Sequence, residues 1–368
     1  MGANQPMQIG IDASKTALKH KTGIDNTVYQ IILNLEKIDK KNTYSLYSNK
    51  SIDKALKQNK NFQEKLIPFP RLWNKFRLPL ALMRDKPEKF LQITNAIPAF
   101  APQKTAVFIH DLAFKFFPKA YSSYELMLQE SAIKIALAKA ERIIFSSNAN
   151  KDDFLRFYNF PEEKMKVVPL AFDSDVYKKI SKPKQILKIS SPYLIFVGRL
   201  EKRKNIVNII EAFMEFKKKF KTDHKLVLAG KEGYGYDEIE AKINENQNFK
   251  KDIIITGYMP DQKLANLYAL SDGLIFPSLY EGFGIPILEA MACGVPVITS
   301  NISTLKEVAG DAALLVNPEN VSEISKAINT ITSNQKVKQD LISKGKTQIK
   351  QFSWDKTAKN ILNILEEM

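Results

Sequence analysis

The stretch from Phe276 to Asn301, FPSLYEGFGIPILEAMACGVPVITSN, permits few folds. A short apolar run, Gly273 to Phe276, ends in a Pro-Ser-Leu-Tyr turn. Glu281 then precedes Gly282 and Gly284, and Pro286 stands where the first helical residue is expected, a position at which a missing N–H costs nothing. Gly294 supplies the helix stop, and Val295 to Thr299 reads as a buried strand. Strand, glycine-bearing loop, helix and strand make a βαβ unit whose helix start is an anion site at the sheet edge. Glu281 falls in the loop and Glu289 about one turn inside the helix. Two readings of these acids stand. Glu289 complements the helix dipole and first-turn donors. Alternatively, the helix start and glycine amides hold phosphate or sugar oxygens while both carboxylates accept hydrogen bonds from sugar and ribose hydroxyls.

A chain of 368 residues has room for two or three domains, each with its own core. Its 44% hydrophobic and 26% charged residues place it among soluble globular proteins. Cys293 is the only cysteine, which excludes an intrachain disulfide and suits a reducing compartment. The start, MGANQPMQIGIDAS, lacks a basic segment followed by an apolar core, and no apolar run approaches the ~18 residues of a spanning helix. A cytoplasmic protein is expected. Residues 1–187 carry 31 Lys and Arg against 18 Asp and Glu, whereas the remainder carries 24 against 22. The excess positive charge thus lies in the first half. It points to an anionic partner or to lysines decorating solvated faces.

Met7 to Ala13 reads as the first strand, residues 14–23 as a basic polar loop ending at Gly23, and a helix follows. Ile24, Val28, Ile31, Ile32 and Leu35 share one face of that helix. Further on, RLWNKFRLPLALMR (residues 71–84) sets Trp73, Phe76, Leu80 and Met83 among Arg71, Lys75, Arg77 and Arg84, with a break near Pro79. Such a face lies on an anionic membrane, or it belongs to a surface helix packing its aromatics inward; the second reading is preferred. His110 directly follows an apolar strand, where α/β sheets bind ligands. His20 and His224 read as surface residues. Residues 176–191 show no strong periodicity and form the best linker, and a fresh βα alternation begins at Tyr193.

The strand from Tyr193 ends at Gly198 and hands over to Arg199-Leu-Glu-Lys-Arg-Lys204-Asn205 before a helix with Ile206, Ile209, Ile210, Phe213 and Phe216 inside. A diphosphate carries about two negative charges, which two cations and helix dipoles neutralise without a metal. Lys202 and Arg203 fit a solvated loop. Arg199, against the strand end, fits it less well.

EGFGIPILEAMACGVPVITS closely resembles the Glu-x7-Glu signature of the retaining family-4 glycosyltransferases, which have the two-domain GT-B fold. GRLEKRKN resembles their Gly-Arg-x4-Lys element, so Arg199 and Lys204 are implied to bind the donor diphosphate. HDLAF…FP is similar to the stretch whose histidine, here His110, faces the donor sugar. IGIDAS…TGI…VYQIILNL looks like the family's opening, which puts Gly23 near the donor phosphate. Tyr258 and Met259 match the loop that touches the base. VVPLAFDSDVY resembles the inter-domain exit, which argues against a metal at Asp173 and Asp175; no metal or other cofactor is expected. The resemblance implies α/β architecture: an acceptor-side Rossmann-like domain over 1–187, a donor domain over 188–350 facing it across a cleft, and a helix over 351–368 crossing back to the first.

By this resemblance Glu281 is catalytic with His110. Glu281, Phe283, Gly284 and Ile285 hold the donor sugar, and Glu289 takes the ribose. The implied reaction moves a hexose from a GDP- or UDP-sugar, GDP-mannose among the candidates, to a glycan or lipid-linked acceptor in bacterial surface polysaccharide synthesis. The chain would work in the cytoplasm, with the basic first half near an anionic membrane. A sugar-nucleotide epimerase of similar fold is one rival, distinguished by turnover without acceptor. A basic nucleic-acid-binding protein is another, but no recognition motif or aromatic stacking array accompanies the charge, and no nucleic-acid partner is expected.

Overall fold

The computed structural model describes residues 5–17, 23–69, 73–189, 191–245 and 247–368. His20 and Arg71 lie outside them. The chain divides into two compact units: one holds the chain through Phe114, Tyr121–Leu170 and Trp354–Met368, the other Lys115–Ala120 and Ala171–Ser353. No helix among the described residues is long and apolar enough to cross a membrane.

The first unit is built on seven parallel strands: β1 (Gln8–Asp12), β2 (Thr43–Ser48), β3 (Phe62–Leu66), β4 (Lys89–Gln92), β5 (Thr105–Ile109), β6 (Arg142–Phe145) and β7 (Met165–Val167). Their order is β3-β2-β1-β4-β5-β6-β7. The chain moves one way from β1 and the other way from β4, so the topological switch point lies between those two strands. β4 and β5 are buried along their whole length, as expected of parallel strands covered on both faces.

Helix Gly23–Ile38 buries Val28, Ile31, Ile32 and Leu35 completely. Ile24, expected on that face, is 42% exposed. The buried first-turn position is instead Asp25, with Lys15 at 3.9 Å, so the covered side begins polar. Against this helix packs the last one, Trp354–Glu367, through Ala358, Ile361, Ile364 and Leu365 among others. Each large aliphatic so buried contributes roughly 1.5–3 kcal/mol. The buried Lys89 ammonium donates to the Leu365 carbonyl at 2.6 Å, and the Thr357 hydroxyl donates to the Pro169 carbonyl at 2.7 Å. Lys89 thus satisfies a helix-end carbonyl that would otherwise lack a partner.

Residues 73–85 form one unbroken helix despite Pro79. Leu78, Ala81 and Leu82 bury with Tyr47, Trp73 and Phe90, and this packing holds the helix through the proline. Trp73 packs inward as expected, but Phe76, Leu80 and Met83 do not: they are 58%, 50% and 48% exposed.

The second unit has six parallel strands: β8 (Tyr193–Val197), β9 (Lys225–Ala229), β10 (Ile253–Gly257), β11 (Gly273–Phe276), β12 (Val297–Ser300) and β13 (Ala313–Val316). Their order β10-β9-β8-β11-β12-β13 puts its switch point between β8 and β11. Ile206, Ile209, Ile210, Phe213 and Phe216 are buried on helix Ile206–Phe220, and Ile324 and Ile328 on helix Val321–Ser333. The segment after Leu170 joins this unit earlier than the boundary expected at 187/188. Tyr177 is buried here, edge-on to Tyr268 with ring centroids 6.1 Å apart, and its hydroxyl donates to Asp261 at 3.3 Å. The join to the last helix falls at Ser353/Trp354 rather than 350/351, because Phe352 packs edge-on to Phe283.

His224 is not a free surface histidine. Its side chain is largely covered, its Nε2 is 3.3 Å from Asp272, and its ring meets Phe216 edge-on. Hydrogen bonding to His224, with Lys338 assisting, holds the Asp272 carboxyl down at about 2.

Candidate active site

In a parallel sheet, backbone amides and helix starts gather beyond the carboxyl ends of the strands, and a ligand fits where the chain direction reverses. In the second unit that place lies between the segments leaving β8 and β11. After β8 the chain makes a short 3-10 turn, Lys202–Lys204, and closes it with Asn205 in the left-handed region at φ 64°. Asn205 tolerates that backbone better than most residues. Its side-chain amide donates to the carbonyls of Pro277 at 3.0 Å and Pro318 at 2.6 Å. The Leu279 amide in turn donates to the Arg203 carbonyl at 2.9 Å. The two segments are therefore stapled together, and the turn aims consecutive side chains at Glu281.

Lys204 hydrogen-bonds Glu281 Oε1. Arg203 donates through Nη1 to Glu281 Oε2 at 3.1 Å and to the Tyr280 carbonyl at 2.7 Å, and through Nη2 to Glu201 at 2.7 Å. The Glu281 side chain is 8% exposed, that of Lys204 12% and that of Arg203 19%. Arg203 is therefore no solvated loop residue; the expectation fails because an arginine's planar fork can satisfy several acceptors at once. Lys202 does sit on the surface, paired with Glu238 at 2.6 Å. Burial alone would raise the Glu281 carboxyl, but Lys204 and Arg203 outweigh it and hold the acid below its ordinary value. Burial lowers the Lys204 ammonium, with Arg203 adding to the effect and Glu281 opposing it.

Arg199 is exposed, and among the described residues it has no ion-pair partner. Its stem lies across Gly233, where a Cβ would stand 2.7 Å from the Arg199 Cγ and Cδ and would push that stem aside. The loop after Glu281 turns at Gly284. Its φ of 108° and its closeness to Leu305, which a Cβ would meet at 2.6 Å, both demand glycine. Helix Ile285–Ala292 begins at once, with proline in its first turn and Gly284, which has no side chain to cap it, at its N-cap. Phe283 is buried, its ring edge-on against Phe352 at 5.9 Å.

One turn into the helix, Glu289 Oε2 accepts the Tyr268 hydroxyl at 3.1 Å. Although some of its surface reaches solvent, burial of the carboxyl, with Asp261 and Asp173 nearby, pushes it up to about 8 against the pull of Tyr268. Burial, together with Glu289, also pushes the Cys293 thiol up to about 12. Asp173 accepts from the amides of Asp175 and Val176 at 3.0 and 3.3 Å. Tyr258 is 42% exposed with the Lys231 ammonium 5.3 Å from its ring centroid, and Met259 is half-buried.

The other predicted residues lie in the first unit. His110 follows β5, buried and stacked on Phe108, and its Nε2 donates to the Ile93 carbonyl at 2.6 Å. Burial lowers its pKa although Ile93 opposes this, so the ring is neutral with Nδ1 as an acceptor. Asn150 donates to the carbonyls of Ile109 and His110, both at 2.9 Å, and fixes the turn. Gly23 opens helix Gly23–Ile38, and a Cβ there would meet no described atom within 4 Å.

Sequence reasoning assigned Lys204, Glu281 and Glu289 but missed Arg203 and Tyr268. Arg203 carried no signal that set it apart from its basic neighbours, since its acceptors Tyr280 and Glu281 lie far along the chain. Tyr268 carried none, because only the packing of helix Asp261–Leu270 brings it to Glu289.

A solved sucrose-phosphate synthase of Thermosynechococcus elongatus superposes with a TM-score of 0.78 at 18% identity, covering 99% of each chain. Anabaena HepE, solved with UDP and glucose, gives 0.75 at 19% identity over 98% of this chain and 100% of that one. The two parallel-sheet Rossmann-like units and these likenesses define the GT-B fold. The family description "Glycosyl transferases group 1" matches residues 178–348. The O-antigen chain mannosyltransferase B of Escherichia coli is 30% identical over 268 residues, which is 71% of this chain and 70% of that protein. The chain belongs to the group 1 glycosyltransferases.

Proposed function

We propose that this glycosyltransferase moves a hexose, with retention of configuration, from a nucleotide diphospho-sugar to a glycan or lipid-linked acceptor of bacterial surface polysaccharide. GDP-mannose is the favoured donor, because the similar Escherichia coli protein is a mannosyltransferase. The observation that carries the reading is the packing of Lys204 and Glu281 where β8 and β11 end, beside a helix start whose N-cap is a glycine. A departing diphosphate needs positive charge at its oxygens, and a developing oxocarbenium carbon needs its ring held still.

Arg199, Lys204 and the first-turn amides of helix Ile285–Ala292 do the first, and their charge makes a metal unnecessary. Glu281 and the backbone of Phe283, Gly284 and Ile285 do the second. Glu289 takes the ribose hydroxyls, the loop at Tyr258 and Met259 meets the base, and His110 accepts a sugar hydroxyl at Nδ1. Gly23 contributes backbone only. The leaving phosphate accepts the proton of the incoming hydroxyl on the same face. Phe76, Leu80 and Met83, exposed beside Lys75 and Arg84, rest on the anionic inner face of the membrane, where a lipid-linked acceptor resides.

The test is a thermal-shift screen of GDP-mannose, UDP-glucose and their nucleotides, followed by transfer assays with lipid-linked saccharides, since a ligand bound to the native state raises its apparent stability. Stabilisation by a nucleotide sugar and transfer to acceptor are expected. Donor turnover to an epimer without acceptor, or no response to any nucleotide sugar, would sink the reading.

A further inference from the structure

Two cations and two acids meet at the carboxyl end of β8, and their count raises a difficulty. Lys204 and Arg203 both hold Glu281, while Glu201 holds the other end of Arg203. The cluster is neutral as it stands. A diphosphate arriving at Lys204 draws that ammonium away from Glu281, and a carboxylate only 8% exposed then depends on what remains. If nothing remained, Glu281 would turn toward water just when the sugar needs it fixed.

We infer that Arg203 is a positioning residue that keeps Glu281 in place while Lys204 is engaged by the donor diphosphate. The inference rests on the reading of the donor site above and adds to it a residue with no contact to substrate. Three features fit Arg203 to the task. Its fork has a fixed shape, so the hydrogen bond to Glu201 sets the direction of the one to Glu281. Its Nη1 also holds the Tyr280 carbonyl at 2.7 Å, which fixes the backbone from which Glu281 departs. Its own carbonyl accepts from Leu279 at 2.9 Å, so the same residue grips that loop from both main chain and side chain. Among the described residues, the Lys204 ammonium has no second hydrogen-bonded anchor of this kind, and it is the cation able to change partner. Division of labour follows: one cation moves to the phosphate and the other stays with the acid.

The test separates anchoring from binding. In Arg203→Met, GDP-mannose turnover should fall about 100-fold, the cost of a small misplacement at the reacting centre, while GDP affinity by calorimetry stays within about threefold, below a tenfold step of 1.4 kcal/mol. UDP-glucose and UDP serve as the parallel pair. Arg203→Lys should recover part of the turnover, because one ammonium reaches Glu281 or Glu201 but not both. Turnover within twofold of the parent, about a third of a tenfold step, overturns the inference, and so does GDP affinity falling in step with turnover, which would make Arg203 a phosphate ligand.

A second measurement needs no substrate. Arg203→Met and Lys204→Met each leave Glu281 one cation, whereas the double variant leaves none. Its fall in Tm should exceed the sum of the single falls by about 4 °C or more, and Glu281→Gln should restore the excess. Additive falls overturn the inference even if the donor reading stands. Conversely, full activity of Glu281→Gln removes the donor reading while leaving the coupling in Tm intact.

Discussion

The two sheets reverse direction in the same way, yet what stands at their switch points differs in kind. Between β1 and β4 the groups are Asp12 and Gln92. Asp12 accepts the amide and hydroxyl of Ser14 at 3.0 and 2.7 Å and the Gln92 amide at 3.2 Å, and the Gln92 amide also reaches the Thr94 hydroxyl at 2.5 Å. With the neutral His110 one strand further on, this edge is governed by hydrogen bonds, and among the described residues no cation pairs with its acid. Between β8 and β11 cations and carboxylates alternate: Glu201, Arg203, Glu281 and Lys204, with Arg199 outside them. One topology thus carries two chemistries. Hydroxyl groups are read by neutral hydrogen bonds worth about 0.5–1.5 kcal/mol each, whereas a diphosphate calls for charge-assisted bonds worth about 1.5–3.

The sharpest way to break this contrast is Glu281→Gln, which keeps the shape and removes the charge. Turnover should fall about 10²- to 10³-fold, the range for removing one preorganised electrostatic partner, in a protein that remains folded by circular dichroism. Full activity with donor and acceptor present would take Glu281 out of the site. Next comes Lys204→Ala. It should weaken GDP or UDP binding by about 1–3 kcal/mol in calorimetry, and an unchanged affinity would mean that Lys204 serves Glu281 alone. On the neutral edge the effect is smaller. His110→Ala should lower kcat/KM for the sugar donor by up to roughly tenfold, one neutral hydrogen bond, without altering the affinity for the bare nucleotide. An equal loss for the nucleotide would show that His110 does not act on the sugar alone.

Much of this contrast was legible in the sequence, and the exceptions have physical causes. The strand-glycine-helix grammar of Phe276–Asn301 and the loop from Gly198 to Asn205 named the charged edge, because glycines and a proline at set positions leave few backbones available. Periodicity located Val28, Ile31, Ile32 and Leu35 in the core but overreached at Ile24, since a repeat in sequence does not say where the covering surface ends. The same limit misplaced Phe76, Leu80 and Met83, which share their helix with a buried Trp73. Arg203 was misread because a basic residue in a polar loop resembles its neighbours until the fold brings Tyr280, Glu281 and Glu201 within reach. His224 was misread for the same reason: Asp272, which pairs with it, is far away in sequence.

Glu289 sharpens the comparison through pH. With its carboxyl raised to about 8 against an ordinary value near 4.5, the folded chain keeps a proton that the unfolded chain has lost. Stability from this group should therefore fall as pH rises from near 4.5 toward 8 and level off above, since the native state binds more protons over that window. Glu289→Gln should remove this downward slope from the Tm profile. If ribose hydroxyls donate to the carboxylate form, binding expels the proton, so nucleotide affinity should rise several-fold between about pH 6.5 and 9 in the parent and stay flat in Glu289→Gln. A parent affinity that does not change with pH would leave Glu289 as a partner of Tyr268 only.

The mildest effect is expected far from either edge, where the two halves differ in net charge. The 13-unit excess in residues 1–187 lies in the half that also exposes Phe76, Leu80 and Met83 on one helix. Not every cation there is available: Arg77 lies over the Phe69 ring at 5.3 Å, and Arg84 pairs with Asp85 although it stays largely exposed. On the proposed membrane reading, apolar insertion does much of the binding, with each surface cation adding about 1 kcal/mol at an anionic bilayer. Phe76→Ser should reduce binding to phosphatidylglycerol vesicles several-fold, by the loss of roughly 1–2 kcal/mol of apolar burial, at both low and high salt. Lys75→Gln should reduce it only at low salt, where the charge is not screened. Neither change should alter kcat on a water-soluble acceptor. Vesicle binding that vanishes in salt and ignores Phe76 would mark the basic half as a charged surface with no insertion face.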